Sequence, residues 1–253
     1  MPNYGDSAYW EQRYVQERME HGHRYTYDWY FPWSTMETYV ANFCSEEQSE
    51  RVLIAGCGNS LWPEEMYESG YHNITCVDWS REVIGTMSTR NRAKQGMVYE
   101  HADVRRLLQF GDSSFDLVID KACLDAVMCG FDGIKNADLY MQEVHRVLRP
   151  GGYFFLLTFG NIEMRMPTLT KALGWKVEHA LVPRNLQHHI FMCEREPNAP
   201  APAVRALPAP QGPGPGPEPG AAVPAADGEG AGANAGAAEA AAVGGATSSK
   251  IKE

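Results

Sequence analysis

Short apolar runs alternate with longer amphipathic stretches through the first 196 residues, and this alternation predicts strands interleaved with helices. Residues 52–55, Val-Leu-Ile-Ala, are too few for a helix and wholly apolar, as suits a strand buried on both faces of a parallel sheet. Residues 74–77, 98–101, 115–119 and 153–158 read as further strands. Between them, 80–94 carries Val83, Ile84 and Met87 at helical spacing, and 137–148 carries Leu139, Val144 and Leu148 on a common side, ahead of Pro150-Gly151-Gly152. Pro63 opens a helix predicted over 63–69 and Gly70 ends it. Upstream, 11–19 is helical, with Trp10 and Tyr14 four apart on one face. A second helix covers 34–43, with Ser34 as N-cap and Glu37 as its capping-box partner. A short helix over 169–173 ends at Gly174. Strands at 175–182 and 188–194, joined through Pro183-Arg184-Asn185, form a closing hairpin, so one strand runs antiparallel in a mostly parallel sheet.

The first strand stops in Gly56-Cys57-Gly58, where absent side chains let the backbone turn tightly and approach a ligand. The next strand delivers Asp78 at its carboxyl end, twenty residues after Gly58. Such a layout holds a nucleoside, with glycines beneath it and the acid on the ribose hydroxyls. A dinucleotide fingerprint wants a third glycine where this chain has Leu61, so a ligand without phosphate, such as S-adenosylmethionine, fits better. Asp103, just past the third strand, suits an adenine amino group, or a helix cap for 104–108, or both. Ten aromatic residues crowd positions 1–33. Such density fills a core, or walls a pocket for a sulfonium or alkylammonium.

Composition divides the chain. From residue 197 to the end, 38 of 57 residues are Ala, Gly or Pro and none is aromatic, which predicts a disordered tail. The remainder reads as an aromatic-rich cap of helices at 1–50 and an α/β core at 51–196. The net charge of −10 argues against nonspecific nucleic-acid binding and favours a cationic partner, such as a lysine-bearing protein. Six cysteines without paired or metal-ligand spacing predict reduced core thiols and no metal site. With no signal-like or membrane-length apolar run, a cytoplasmic monomer is expected, the nucleus remaining open.

Alternating strands and helices, the Gly-x-Gly turn, acids after the second and third strands and the closing hairpin together resemble class I, seven-stranded Rossmann-like methyltransferases dependent on S-adenosylmethionine. Tyr9-Trp10-Glu11-Gln12-Arg13-Tyr14, Tyr27-Asp28-Trp29-Tyr30, Gly56-Cys57-Gly58-Asn59-Ser60 and Asp120-Lys121-Ala122-Cys123-Leu124-Asp125 are similar to the family of elongation factor 1-alpha lysine methyltransferase 4 and methyltransferase-like protein 13. The resemblance spans roughly residues 7–195. It implies cofactor contacts from Trp10, Tyr14, Trp29, Gly56, Gly58, Asp78, Trp79, Asp103, Val104 and Lys121, with the three N-terminal aromatics over the methionine end. It implies a protein acceptor, elongation factor 1-alpha. The family usually has Gly-Thr where this chain has Ala122-Cys123. The reaction expected is methyl transfer to a lysine amine, with no dedicated base; Asp120, Lys121, Asp125 and His189 are the candidate catalytic groups, Lys121 for holding the methionine carboxylate or shaping the acceptor mouth, its alternative being a surface lysine paired with Asp120 or Asp125, and the others for accepting a proton, each with a structural alternative. A small-molecule methyltransferase and a noncatalytic cofactor-binding module are the competing readings; a nicotinamide dehydrogenase is disfavoured by Leu61 and the hairpin.

Overall fold

The computed structural model describes residues 2–160, 162–170, 174–182 and 185–197. The tail beyond 197, the end of the helix expected over 169–173 and the Pro183-Arg184 turn lie outside the described residues. The elements run α1 Ser7–His21, α2 Trp33–Ala41, β1 Arg51–Ala55, α3 Trp62–Glu68, β2 Asn73–Asp78, α4 Arg81–Asn91 and β3 Met97–His101. They continue with β4 Phe115–Lys121, α5 Cys123–Met128, α6 Gly133–Val147, β5 Leu148–Phe159, α7 Ile162–Thr170, β6 Trp175–Val182 and β7 Asn185–Arg195.

The seven strands form one sheet in the order β3-β2-β1-β4-β5-β7-β6. β7 alone is reversed, pairing antiparallel with both β5 and β6. Alternation along each buried strand feeds two cores. Val52 and Ile54 of β1, Leu117 and Ile119 of β4, and Phe155 and Leu157 of β5 meet Trp33, Met36, Trp62 and Met87 on one face. Leu53, Val118, Phe154 and Leu156 meet Leu124, Tyr140, Met141 and Val144 on the other. Helices α1–α4 thus cover one face and α5–α7 the opposite one. Strand order reverses between β1 and β4, whose ends align at Ala55 and Asp120. A doubly wound sheet binds ligands in the crevice that opens at such a switch point.

Three local expectations are corrected, and one helix was not foreseen. Ser34 lies inside α2; the N-cap is Pro32, which fixes the entry φ without a side-chain cap. Asp103 caps a turn rather than a helix: its Oδ1 accepts from Arg105 N at 2.9 Å, and residues 104–108 are not helical. The helix α5 lacks any Ser, Thr, Asn or Asp at its N-cap, so no local capping signal announces it. Ala122 holds that position at φ 72°, and the cap comes from upstream, where the Asp120 carboxylate accepts from Cys123 N at 2.8 Å and Leu124 N at 2.9 Å. The predicted tip of the first helix also moved: Asp6 caps α1 by accepting from Ala8 N at 2.9 Å.

Candidate active site

β1 ends in a turn whose backbone is left-handed at both glycines, φ 62° at Gly56 and 51° at Gly58. A Cβ at Gly56 would stand 2.6 Å from Cys123 Sγ, and one at Gly58 2.6 Å from the Tyr14 hydroxyl. The turn is therefore closed from above by α1 and from the side by α5, and only glycine fits. Asp78, at the tip of β2, accepts from Gly58 N through Oδ2 and from Ser80 N through Oδ1, both at 2.9 Å. Burial pushes its carboxyl up to about 6 against these two hydrogen bonds.

A cavity of about 400 Å3 opens over this turn. Of the residues predicted to touch a cofactor, Trp10, Tyr14, Trp29, Gly56, Gly58, Asp78, Trp79, Asp103, Val104 and Lys121 all line it. The roof is aromatic: Trp10 stacks on Tyr14 with centroids 6.0 Å apart and meets Trp29 edge-on at 6.1 Å. Arg13 pins the roof, its guanidinium carbon 5.1 Å from the centre of Trp29, 5.5 Å from Trp10 and 5.6 Å from Tyr27. At the far end Trp79 is partly exposed beside Arg105, which forks onto both carboxylate oxygens of Asp103.

Asp28 carries more than sequence reasoning assigned it. It lay inside the quoted Tyr27-Asp28-Trp29-Tyr30 motif without a role. Its carboxylate accepts from Lys121 Nζ at 3.0 Å, from Ser60 Oγ and from Leu61 N at 3.4 Å. Lys121 therefore pairs with Asp28, not with Asp120 or Asp125 as the surface alternative required, and its ammonium also lies 5.3 Å from the Trp62 ring centre. Burial lowers the Lys121 pKa, with Asp28 opposing that shift.

The other catalytic candidates are engaged elsewhere. Asp120 is fully buried, with its carboxylate held by the start of α5 and by the Tyr140 hydroxyl at 2.9 Å; burial, then Asp125, raises it to about 7. Asp125 lines the cavity but accepts from Tyr30 Oη at 2.7 Å, Phe159 N at 3.0 Å, Thr158 Oγ1 and Arg165 Nη2 at 2.6 Å. His189 is turned from the cavity and bonded to His179 at 2.8 Å. The neighbouring His188 is the one that reaches the roof, packing on Tyr30 at 4.6 Å. Among the described residues no group of three His, Cys, Asp or Glu is placed to hold a metal ion, and no helix is long and apolar enough to cross a membrane.

Residues 53–156 match the family model for a methyltransferase domain. A Bos taurus protein, EEF1A lysine methyltransferase 4, is 30% identical over 201 residues, covering 76% of each chain. The chain belongs to the class I S-adenosylmethionine-dependent methyltransferases. A Mus musculus eEF1A lysine and N-terminal methyltransferase is 30% identical over 174 residues, covering 68% of this chain and 23% of that longer protein. A Haemonchus contortus phosphoethanolamine N-methyltransferase 2 shares the methyltransferase fold at a TM-score of 0.58 and 15% identity, over 77% of this chain and 60% of the other. The donor set fits the family's cofactor. Asp78 keeps lone pairs beyond its two backbone bonds, and electron-rich rings line the apolar walls of the cavity that opens over the glycine turn.

Proposed function

We propose that this methyltransferase modifies a lysine side chain of translation elongation factor 1-alpha. The observation carrying this reading is the match along 76% of both chains to a relative named for that acceptor. S-adenosylmethionine, when bound, supplies an electrophilic methyl group on sulfur. In this reading Asp78 accepts from the ribose hydroxyls, Trp79 packs on the adenine, and Asp103 and the Val104 N–H take the adenine edge. Trp10, Tyr14 and Trp29 cover the methionine end, while Lys121 and Gly56 set its floor.

A lysine amine attacks only when neutral, and its free pKa is about 10.4. Aromatic walls desolvate the ammonium and lower that value. With Asp120 buried, Asp125 paired to Arg165 and His189 paired to His179, none of these three candidates is free to act as a dedicated base. The protein's contribution is orientation and exclusion of water, holding nitrogen and methyl in line at about 3–3.5 Å.

The test is incubation of the purified protein with tritiated cofactor and purified elongation factor 1-alpha, beside a metabolite extract. Label on a lysine of the factor, located by mass spectrometry, is expected. Label confined to a small molecule overturns the assignment.

A further inference from the structure

Ten large apolar side chains are exposed among the described residues, and four of them stand on or beside elements that begin or end at the carboxyl edge of β4 and β5. Tyr27 and Trp79 belong to the cavity already described, and Met19, Val98, Leu108 and Leu181 lie elsewhere in the fold. Phe131, 93% exposed, and Ile134, 70%, stand on the α5–α6 loop and the first turn of α6. Phe159 ends β5, and Met164 lies in the first turn of α7. Topology brings these together. β4 and β5 are parallel, so α6 returns from their carboxyl edge and begins there, while α7 starts just after β5 reaches it. Arg165 of α7 reaches the Met128 sulfur of α5 at 3.0 Å, tying the two helix ends side by side.

This collar is continuous with the cavity mouth. Cys129, Asn136, Phe159 and Arg165 line the cavity, and Asn136 Nδ2 donates to the Phe131 carbonyl at 2.9 Å. The N-terminal segment closes the ring, since a Cβ at Gly5 would overlap the Gly130 backbone. Exposed Asp6 and Asp132 flank the apolar positions, beside exposed Lys135. An exposed apolar patch rimmed by charge marks a protein contact, and here the surplus acid complements a basic, lysine-bearing surface.

We infer that Phe131, Ile134, Phe159 and Met164 form the docking surface on which the acceptor protein seats before its lysine enters the cavity. The inference rests on the protein-acceptor reading above. A small molecule that fits inside the cavity has no use for a collar outside it.

The test compares the double variant Phe131→Ser/Ile134→Ser with Leu108→Ser, which removes a side chain 66% exposed beside residues held by Arg146 at the far end of α6. Purified elongation factor 1-alpha is titrated with labelled cofactor, and S-adenosylhomocysteine binding is measured by calorimetry. The double variant is expected to raise KM for the protein about tenfold, with kcat and S-adenosylhomocysteine affinity within twofold of the parent. Leu108→Ser is expected to change none of the three. If the parent methylates the factor and the double variant keeps the parent KM, the docking surface is wrong and the acceptor assignment stands. If the parent labels only small amines in a metabolite extract, both fall.

Discussion

Lys121 Nζ lies 3.0 Å from Asp28 Oδ1, joining the tip of a central strand to the aromatic segment that roofs the cavity. The lysine side chain is 8% exposed and the aspartate 19%. Asp28 also receives Ser60 Oγ and Leu61 N, so one carboxylate gathers the roof, the glycine turn and β4. Removing its charge leaves Lys121 buried without a counter-ion. Asp28→Asn is expected to destabilise by about 2 kcal/mol, less than the roughly 3–5 kcal/mol of a fully buried pair because Asp28 keeps some solvent. Cofactor affinity should drop about tenfold as the roof loosens. Adding Lys121→Met should recover most of the stability but not the affinity. Chemical denaturation and calorimetry read the two effects separately, and unchanged stability in Asp28→Asn would show the pair to be idle.

Ala122 sits at φ 72°, where a side chain carries strain that glycine does not. The resemblance leads one to expect glycine here, and the backbone suits it: the chain turns left-handed to carry β4 into α5. Ala122→Gly relieves about 1–2 kcal/mol of strain and adds about 0.5–1 kcal/mol of unfolded-state entropy. The net expectation is a stabilisation of roughly 0.5–1 kcal/mol, read as a higher denaturation midpoint with an unchanged slope. A lower midpoint would mean the Ala122 methyl contributes packing that outweighs its strain.

Strands were legible because each of the central ones is an apolar run ended by glycine or acid, and the sheet buries both faces. Of the residues that line the cavity, Gly56, Gly58, Asp78 and Asp103 were legible through spacing at the strand tips, and Trp10, Tyr14, Trp29, Trp79, Val104 and Lys121 through the family resemblance. Asp28 was not, since its partners Ser60 and Lys121 are 32 and 93 residues away. Nor was α5, whose cap is donated from Asp120 across a left-handed residue instead of from its own N-cap. His189 was expected as a proton acceptor, yet it bonds to His179, and His188 is the ring that packs on Tyr30. Long-range pairing and facing are set by tertiary closure, which no local pattern encodes.

Burial raises Asp78 to about 6, above the roughly 3.9 of an unfolded aspartate. A carboxyl with a raised folded pKa favours the folded state below about pH 4 and loses that contribution as pH rises through about 6. Ligand binding runs the other way. Ionised Asp78 accepts ribose hydroxyls at its remaining lone pairs, whereas the protonated form has fewer to offer. S-adenosylhomocysteine affinity is therefore expected to fall about tenfold between pH 7 and pH 5, measured by calorimetry. Asp78→Asn should bind weakly at both pH values, with that dependence gone. A parent affinity flat across this range would remove Asp78 from the ribose.

Asp125 faces the cavity yet is held by Arg165 Nη2 at 2.6 Å and by Tyr30 Oη at 2.7 Å. These bonds make it a brace between the roof, α5 and α7. Asp125→Asn preserves its shape and its acceptor oxygen while deleting the charge facing a guanidinium that is 8% exposed. The expectation is a loss of about 2–3 kcal/mol of stability, a KM raised severalfold and a kcat–pH profile of unchanged shape. Tyr30→Phe, which removes only the hydroxyl donor, should move KM in the same direction with a smaller stability cost of about 1 kcal/mol. If Asp125→Asn instead abolishes the alkaline or acid limb of the profile while the fold survives, the carboxylate takes the lysine proton and the brace is secondary.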